Sequence, residues 1–69
     1  MKITLNGEPH EFEGRQTVAE LVERLGDVQS TGRGVAVALN GEVVTRSRWA
    51  TTALADEDRV EILRAVGGG

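Results

Sequence analysis

The chain has 69 residues and a mass of 7.4 kDa, which leaves room for one small domain and too little core for a deep substrate pocket. Hydrophobic residues make up 39% and charged residues 28%, so the chain is expected to fold rather than remain disordered. A net charge of −3 with one Trp, one Phe and no Tyr disfavours nucleic-acid binding, which depends on phosphate neutralisation and base stacking.

The amino-terminal residues predict a β-hairpin. Residues 2–5 alternate polar and apolar side chains, Asn6-Gly7 is the favoured two-residue turn, and residues 8–12 return as a second strand. In this register Leu5 faces Glu8 and Ile3 faces His10. Four side chains therefore share one side of the hairpin: Ile3, Leu5, His10 and Phe12. Because proline cannot donate a ladder hydrogen bond, Pro9 predicts that the second strand lies at a sheet edge.

A short helix is predicted next. Thr17 and Glu20 have the spacing of a capping box, and apolar residues then recur at helical spacing until Gly26, so the helix spans about residues 18–25. The glutamates of this helix lie on its polar face and are interpreted as solvated surface rather than as a catalytic pair. Residues 27–34 are rich in Gly, Ser, Thr and Gln and predict a loop.

The middle of the chain predicts a second hairpin. Residues 35–39 alternate, Asn40-Gly41 repeats the turn signal, and residues 42–44 form the returning strand. The segment that follows has no clean period. Trp49 and Leu54 are expected to close the bottom of a small core from an irregular or short helical segment.

The last strand completes the predicted fold. An acidic turn, Asp56-Glu57-Asp58, leads into residues 59–66, with Val60 and Ile62 pointing inward. Because the helix has one apolar stripe and each strand one apolar face, we expect an α+β domain over residues 1–66. It has a mixed sheet of four to five strands packed on one main helix, and the first and last strands lie parallel in its centre.

The sequence contains no visible catalytic or metal-binding constellation. The absence of Cys excludes disulfides, thiolate nucleophiles and zinc-thiolate sites, and His10, the one histidine, has no nucleophile to serve. Gly32-Arg33-Gly34 is too short for a phosphate-binding loop, and Asp56-Glu57-Asp58 lacks the spacing of a calcium loop. We therefore expect no catalytic residue, metal or bound cofactor on the chain itself. Without an apolar run of about 20 residues or a signal-peptide core, we expect a cytoplasmic location and no membrane partner.

The carboxyl terminus is the remaining candidate for a reactive site, because the last strand runs directly into Gly67, Gly68 and Gly69. Such an end is often only frayed or an expression artefact. However, three glycines extend about 10 Å at roughly 3.3–3.6 Å per residue, and without Cβ atoms they can thread a narrow channel. Residues 67–69 are therefore predicted to form a flexible tail that carries an α-carboxylate into a partner's active site.

That carboxylate needs outside activation. With an ordinary pKa of about 3.3–3.7 it is ionised at neutral pH and is a poor electrophile. A partner that uses ATP could convert it to an acyl-adenylate, and displacement of AMP by sulfur would then give a C-terminal thiocarboxylate. A chain without Cys suits this scheme, because the transferred sulfur meets no internal thiol.

Four segments resemble the sulfur carriers of thiamine biosynthesis, the ThiS family: Val35–Val44, Arg46–Trp49, Asp58–Ile62 and the terminal pair Gly68-Gly69. The resemblance covers nearly the whole chain, and Gly67 falls at the family's variable position. It implies a ubiquitin-like β-grasp fold, adenylation of Gly69 by an E1-like adenylyltransferase, and sulfur delivery to thiazole synthase. A sulfur donor such as a cysteine desulfurase is a further implied partner, and the activating partner uses the ATP. The chain departs from the family at Thr45, where proline is frequent, and at Glu57, where glycine is usual.

Strand alternation also predicts a docking face beside the tail. If the inward residues of the third and last strands face the helix, the opposite side of these strands carries Ala36, Ala38, Leu63 and Ala65. We expect partners to dock on these four residues and on Val66 at the end of the last strand. Scattered exposed apolar side chains are also common without any function.

Three other functions remain open from the residues. The small subunit of molybdopterin synthase shares the expected fold and tail, although the short length and Trp49 favour the thiamine carrier. A ubiquitin-like protein modifier would join Gly69 to a lysine instead of to sulfur. A simple interaction module would carry the glycines incidentally.

Overall fold

The computed structural model describes residues 1–24 and 34–64, which form one mixed sheet, one α-helix and one 3₁₀ helix. The five strands lie in the order β2-β1-β5-β3-β4. β1 and β5 are parallel and adjacent, and the other neighbouring pairs are antiparallel. The elements are β1 (Lys2–Leu5), β2 (Glu8–Glu11), α1 (Val18–Arg24), β3 (Val35–Leu39), β4 (Glu42–Val44), the 3₁₀ helix (Arg46–Thr51) and β5 (Arg59–Arg64).

Both predicted hairpins are present in the predicted register. Asn6 and Gly7 have φ angles of 49° and 84°, and Asn40 and Gly41 have 50° and 87°. Two consecutive positive φ angles define the turn whose twist matches that of the flanking strands, and Asn-Gly adopts it readily. The Asn6-Gly7 turn pairs Ile3 with His10, as expected. β2, which contains the proline, lies at a sheet edge, and this prediction is also confirmed.

The helix begins at the predicted capping box. The Thr17 backbone N–H donates to Glu20 Oε1 at 2.9 Å, and the Glu20 N–H donates to Thr17 Oγ1 at 3.2 Å. These two bonds satisfy backbone donors that the first helical turn leaves without partners. The apolar stripe of α1 is buried against the sheet through Val18, Leu21 and Val22. Leu25, the predicted end of the helix, and residues 27–33 of the predicted loop lie outside the described residues.

The segment without a clean sequence period is a 3₁₀ helix, and Trp49 and Leu54 are buried as expected. Trp49 Nε1 donates to the Val44 carbonyl at 2.9 Å, which ties this segment to β4. The chain after it is joined to the start of α1, because the Val18 N–H donates to Thr52 O at 2.9 Å. The 3₁₀ helix therefore closes the lower end of the core.

The core lies between the inner face of the sheet and the apolar side of α1 and the 3₁₀ helix. Its buried members are Ile3, Leu5, Val18, Leu21, Val22, Val37, Trp49, Leu54, Val60 and Ile62. Burial of each large aliphatic side chain contributes about 1.5–3 kcal/mol before the entropy cost of folding, so this set is the main source of stability. Within residues 1–24 and 34–64, no helix is long and apolar enough to cross a bilayer.

Candidate functional site

The strand that leads to the terminal glycines is the middle strand of the sheet. β5 is paired with β1 on one side, through Leu5 and Val60, and with β3 on the other, from Leu39 opposite Val60 to Val35 opposite Arg64. Its observed bounds are Arg59–Arg64. Ala65 and Val66, the predicted end of this strand, and Gly67, Gly68 and Gly69 lie outside the described residues. The candidate site is therefore built from the strand that presents the tail and from its surroundings.

The two hairpin asparagines hold β5 from opposite sides. Asn40 lies on the β3 side near the start of the strand, where its Oδ1 accepts from the Arg59 N–H at 2.9 Å and its Nδ2 donates to Asp58 Oδ1 at 3.0 Å. Asn6 lies on the β1 side, where its Nδ2 donates to Ile62 O at 3.2 Å and its Oδ1 accepts from the Ile62 N–H at 2.8 Å. Sequence reasoning assigned both residues to turns and did not find these long-range bonds.

The acidic turn before β5 is a structural connection. Asp58 Oδ2 accepts from the Ala55 N–H at 2.7 Å, and Asp56 Oδ1 accepts from the Lys2 N–H at 2.7 Å. The Glu57 N–H donates to Lys2 O at 2.6 Å. The carboxylates thus order the turn and join it to β1, which agrees with its interpretation as a turn.

The described patch residues lie together on the outer face of the sheet, away from α1. Ala36 pairs directly with Leu63, and both are exposed, with Leu63 at 67% of its maximum. Ala38 is half-buried two residues along β3. The structure therefore places Ala36 and Leu63 side by side near the end of β5 from which the chain continues to the tail, and Ala38 farther back on the same face, opposite Glu61.

Val43 extends this surface and was missing from the sequence prediction. It pairs with Ala38 across β3 and β4, and its side chain is 76% exposed. The Asn-Gly turn held the signal, because a two-residue loop places Val43 opposite Ala38 on the same face. We call Ala36, Ala38, Val43 and Leu63 the outer apolar patch.

His10 takes part in packing at the sheet edge. Its ring stacks on Phe12 with centroids 6.4 Å apart and planes 11° from parallel, and the Arg24 guanidinium carbon lies 5.4 Å from the centre of the same Phe12 ring. His10 is half-buried. No group of three or more His, Cys, Asp or Glu residues able to hold a metal occurs in the part of the chain that the structure describes.

Known proteins resemble this chain in both sequence and fold, and the sequence similarity extends to its last residues. The sequence profile of the ThiS family matches residues 3–69, which includes all three terminal glycines. The Escherichia coli sulfur carrier protein ThiS is 33% identical over 69 residues, covering the whole of both chains. The crystal structure of the thiamine biosynthesis protein ThiS from Geobacter metallireducens is 39% identical and superimposes with a TM-score of 0.82 over the whole of both chains.

A longer relative places a similar sequence within a larger protein. The thiazole synthase of Paramagnetospirillum magneticum is 41% identical over all 69 residues, but the chain spans only 20% of that protein. The profile match over nearly the whole sequence, the full-length relative and the five-stranded sheet on one helix agree with one another. The chain has the ubiquitin-like β-grasp fold and belongs to the ThiS family.

Proposed function

We propose that this chain is a sulfur carrier of thiamine biosynthesis and that sulfur travels on the carboxyl group of Gly69. The observation that carries the proposal is the family match through residue 69, because it includes the glycines that follow the middle strand of the sheet. The site has no side-chain chemistry of its own in this scheme. The chain is thus a protein co-substrate, with no bound cofactor, on which partner enzymes act.

The first proposed step is adenylation by an E1-like adenylyltransferase. The Gly69 carboxylate attacks the α-phosphate of ATP, so that pyrophosphate leaves and a mixed carboxylic-phosphoric anhydride with AMP forms. This step turns an ionised, unreactive carboxylate into an acyl group with a good leaving group. The partner supplies the ATP site. Because the partner needs ATP, we propose that the chain works in the cytoplasm.

The second proposed step installs sulfur. When hydrosulfide attacks the activated carbonyl carbon, the bond to AMP breaks and a carbon–sulfur bond forms, with no change in oxidation state. A persulfide carried by a cysteine desulfurase or similar donor can attack in the same way, and a thiol must then reduce the resulting acyl disulfide to release the thiocarboxylate. The chain has no Cys that could exchange with the new sulfur.

Delivery to a thiazole synthase is the last proposed step. The support is that a sequence similar to the whole of this chain occurs within the P. magneticum thiazole synthase, which joins the two in one polypeptide. A shared polypeptide keeps a carrier at high effective concentration next to its acceptor. We propose that the chain described here delivers its sulfur to the same kind of acceptor.

The outer apolar patch is the proposed docking surface for the adenylyltransferase. Leu63 and Val43 are the large hydrophobic side chains most exposed among the described residues, and both lie on this one face. Leu63 is only six residues before Gly69 in sequence. A partner that covers the patch therefore holds the tail within reach of its active site. The predicted members Ala65 and Val66 remain part of this proposal.

Intact mass spectrometry tests the proposed function. The chain is incubated with ATP, an E1-like adenylyltransferase and sulfide, and its mass is compared before and after thiol-selective alkylation. We expect one carboxylate oxygen to be replaced by sulfur, and we expect the product to react with the alkylating reagent. Since the chain has no Cys, alkylation reports a new sulfur group. Oxidation of Met1 adds nearly the same mass, but the oxidised side chain does not react with the alkylating reagent.

Two results would overturn the proposal. An unchanged mass with partners that are active on another carrier would show that Gly69 is not a substrate. Covalent ladders joined through lysine would show that the chain is a protein modifier. A variant that lacks Gly69 is the matched control, because it removes the carboxyl group that is proposed to accept sulfur, and its amide NMR spectrum checks that it is folded.

A further inference from the structure

The Asn6 side chain replaces a strand where β1 has ended. β1 pairs Leu5 with Val60, and the Asn6 N–H still donates to the Val60 carbonyl at 2.9 Å. From there the backbone turns away, and the carboxamide reaches Ile62 with both a donor and an acceptor, at 3.2 and 2.8 Å. The side-chain amide therefore occupies the place of the next peptide group of a parallel neighbour.

Asparagine is the residue type that meets both demands at this position. The backbone φ of 49° is left-handed, a conformation that Asn tolerates better than most residues. Its short side chain also carries one N–H donor group and one carbonyl acceptor. Aspartate keeps the acceptor but would place a carboxylate oxygen against the Ile62 carbonyl, and glycine keeps the turn but has no side chain.

This contact lies close to the tail. Ile62 is seven residues before Gly69, and its partner on the other side is Val37 of β3. Among the described hydrogen bonds to β5 from the β1 side, the two made by the Asn6 carboxamide are the nearest to the carboxyl terminus. On this side of the sheet, Asn6 therefore holds the strand from which residues 65–69 continue.

We propose that Asn6 is a positioning residue whose carboxamide fixes the direction in which the chain leaves the sheet toward Gly69. This inference rests on the proposed function, since direction matters only if the tail must enter a partner's active site. A strand fixed on both sides restricts the conformations of the tail before docking. Less conformational entropy is then lost when the partner binds.

Three variants separate this role from a general effect on stability. Asn6→Gly removes both contacts to Ile62 and keeps the positive φ. Asn6→Asp keeps the acceptor and loses the donor. Asn40→Gly is the matched control, because it also removes two side-chain hydrogen bonds from a hairpin Asn, but at the start of β5 and far from the tail.

Amide hydrogen exchange tests whether the contact holds the strand. The exchange rate of the Ile62 amide is measured by NMR relative to that of Leu21, a buried residue of α1 that reports global opening. We expect this ratio to rise at least about tenfold in Asn6→Gly, less in Asn6→Asp, and to stay near the wild-type value in Asn40→Gly. An unchanged ratio in Asn6→Gly would overturn the proposal.

Adenylation kinetics test whether the contact positions the tail. With the chain as the varied substrate in ATP–pyrophosphate exchange, we expect Asn6→Gly to raise KM about three- to tenfold and to leave kcat nearly unchanged, because the docked tail is still adenylated. Equal KM values for Asn6→Gly and Asn40→Gly would reject the positioning role. If the wild-type chain is not adenylated, the proposed function and the positioning role both fail. The ratio of the Ile62 and Leu21 amide exchange rates then tests only whether the Asn6 contact holds β5.

Discussion

Truncation of Leu63 gives the sharpest test of the docking surface. Its side chain is 67% exposed, so Leu63→Ala removes little from the core of the free protein, and we expect the free energy of unfolding to change by less than about 0.5 kcal/mol. Complete burial of a Leu side chain is worth about 1.5–3 kcal/mol. A partner that covers the exposed two-thirds therefore gains about 1–2 kcal/mol, which the variant loses.

This loss is expected to appear as a KM for the adenylyltransferase that is raised roughly 5- to 30-fold, with kcat unchanged, since tenfold corresponds to about 1.4 kcal/mol. ATP–pyrophosphate exchange measures both constants, and urea unfolding checks that the variant is folded. Glu23→Ala is the control, because Glu23 is exposed on α1, which packs against the other face of the sheet. A wild-type KM for Leu63→Ala would show that the partner does not cover the outer apolar patch.

Three further predictions concern stability and are checked by urea unfolding. Glu57→Gly is expected to stabilise the fold by about 0.5–1 kcal/mol, because Glu57 has a left-handed φ of 74°. The strain that glycine relieves is expected to exceed the conformational entropy that it adds to the unfolded chain, and a loss of stability would contradict this. Trp49→Phe is expected to cost about 2–4 kcal/mol, since it removes the hydrogen bond from the indole N–H to the Val44 carbonyl and opens a cavity. A cost under about 1 kcal/mol would refute this role. Gly41→Ala is expected to cost about 1 kcal/mol from backbone strain alone, because the φ of Gly41 is 87° and an added Cβ would meet no heavy atom within 4 Å. A cost above about 3 kcal/mol would reveal a contact that the structure does not contain.

Local sequence signals predicted the elements whose geometry depends on neighbouring residues. The two Asn-Gly turns fixed the registers of both hairpins, and the Thr17–Glu20 pair located the start of the helix. These features are readable because the deciding contacts join residues a few positions apart. The 3₁₀ helix had no such signal, since its place is set by burial of Trp49 and by the hydrogen bond that Thr52, the residue after the helix, accepts from the distant Val18 N–H.

The candidate site was predictable only in part for the same reason. Strand alternation placed Ala36 and Leu63 on the outer face, and the structure puts them directly opposite each other. The bonds between Asn6 and Ile62 join residues 56 positions apart. A turn signal at Asn6 accounts for its backbone and gives no indication of the strand that its side chain reaches.

The central claim is that the Gly69 carboxyl group carries the sulfur. Its most direct test compares thiazole formation, in a reconstituted system with adenylyltransferase, sulfur source and thiazole synthase, for the natural chain and for a semisynthetic chain that ends in a Gly69 carboxamide. Matching amide NMR spectra for residues 1–64 would verify that the two chains share the fold. We expect thiazole from the free acid and none from the carboxamide, whereas equal yields from both would contradict the claim.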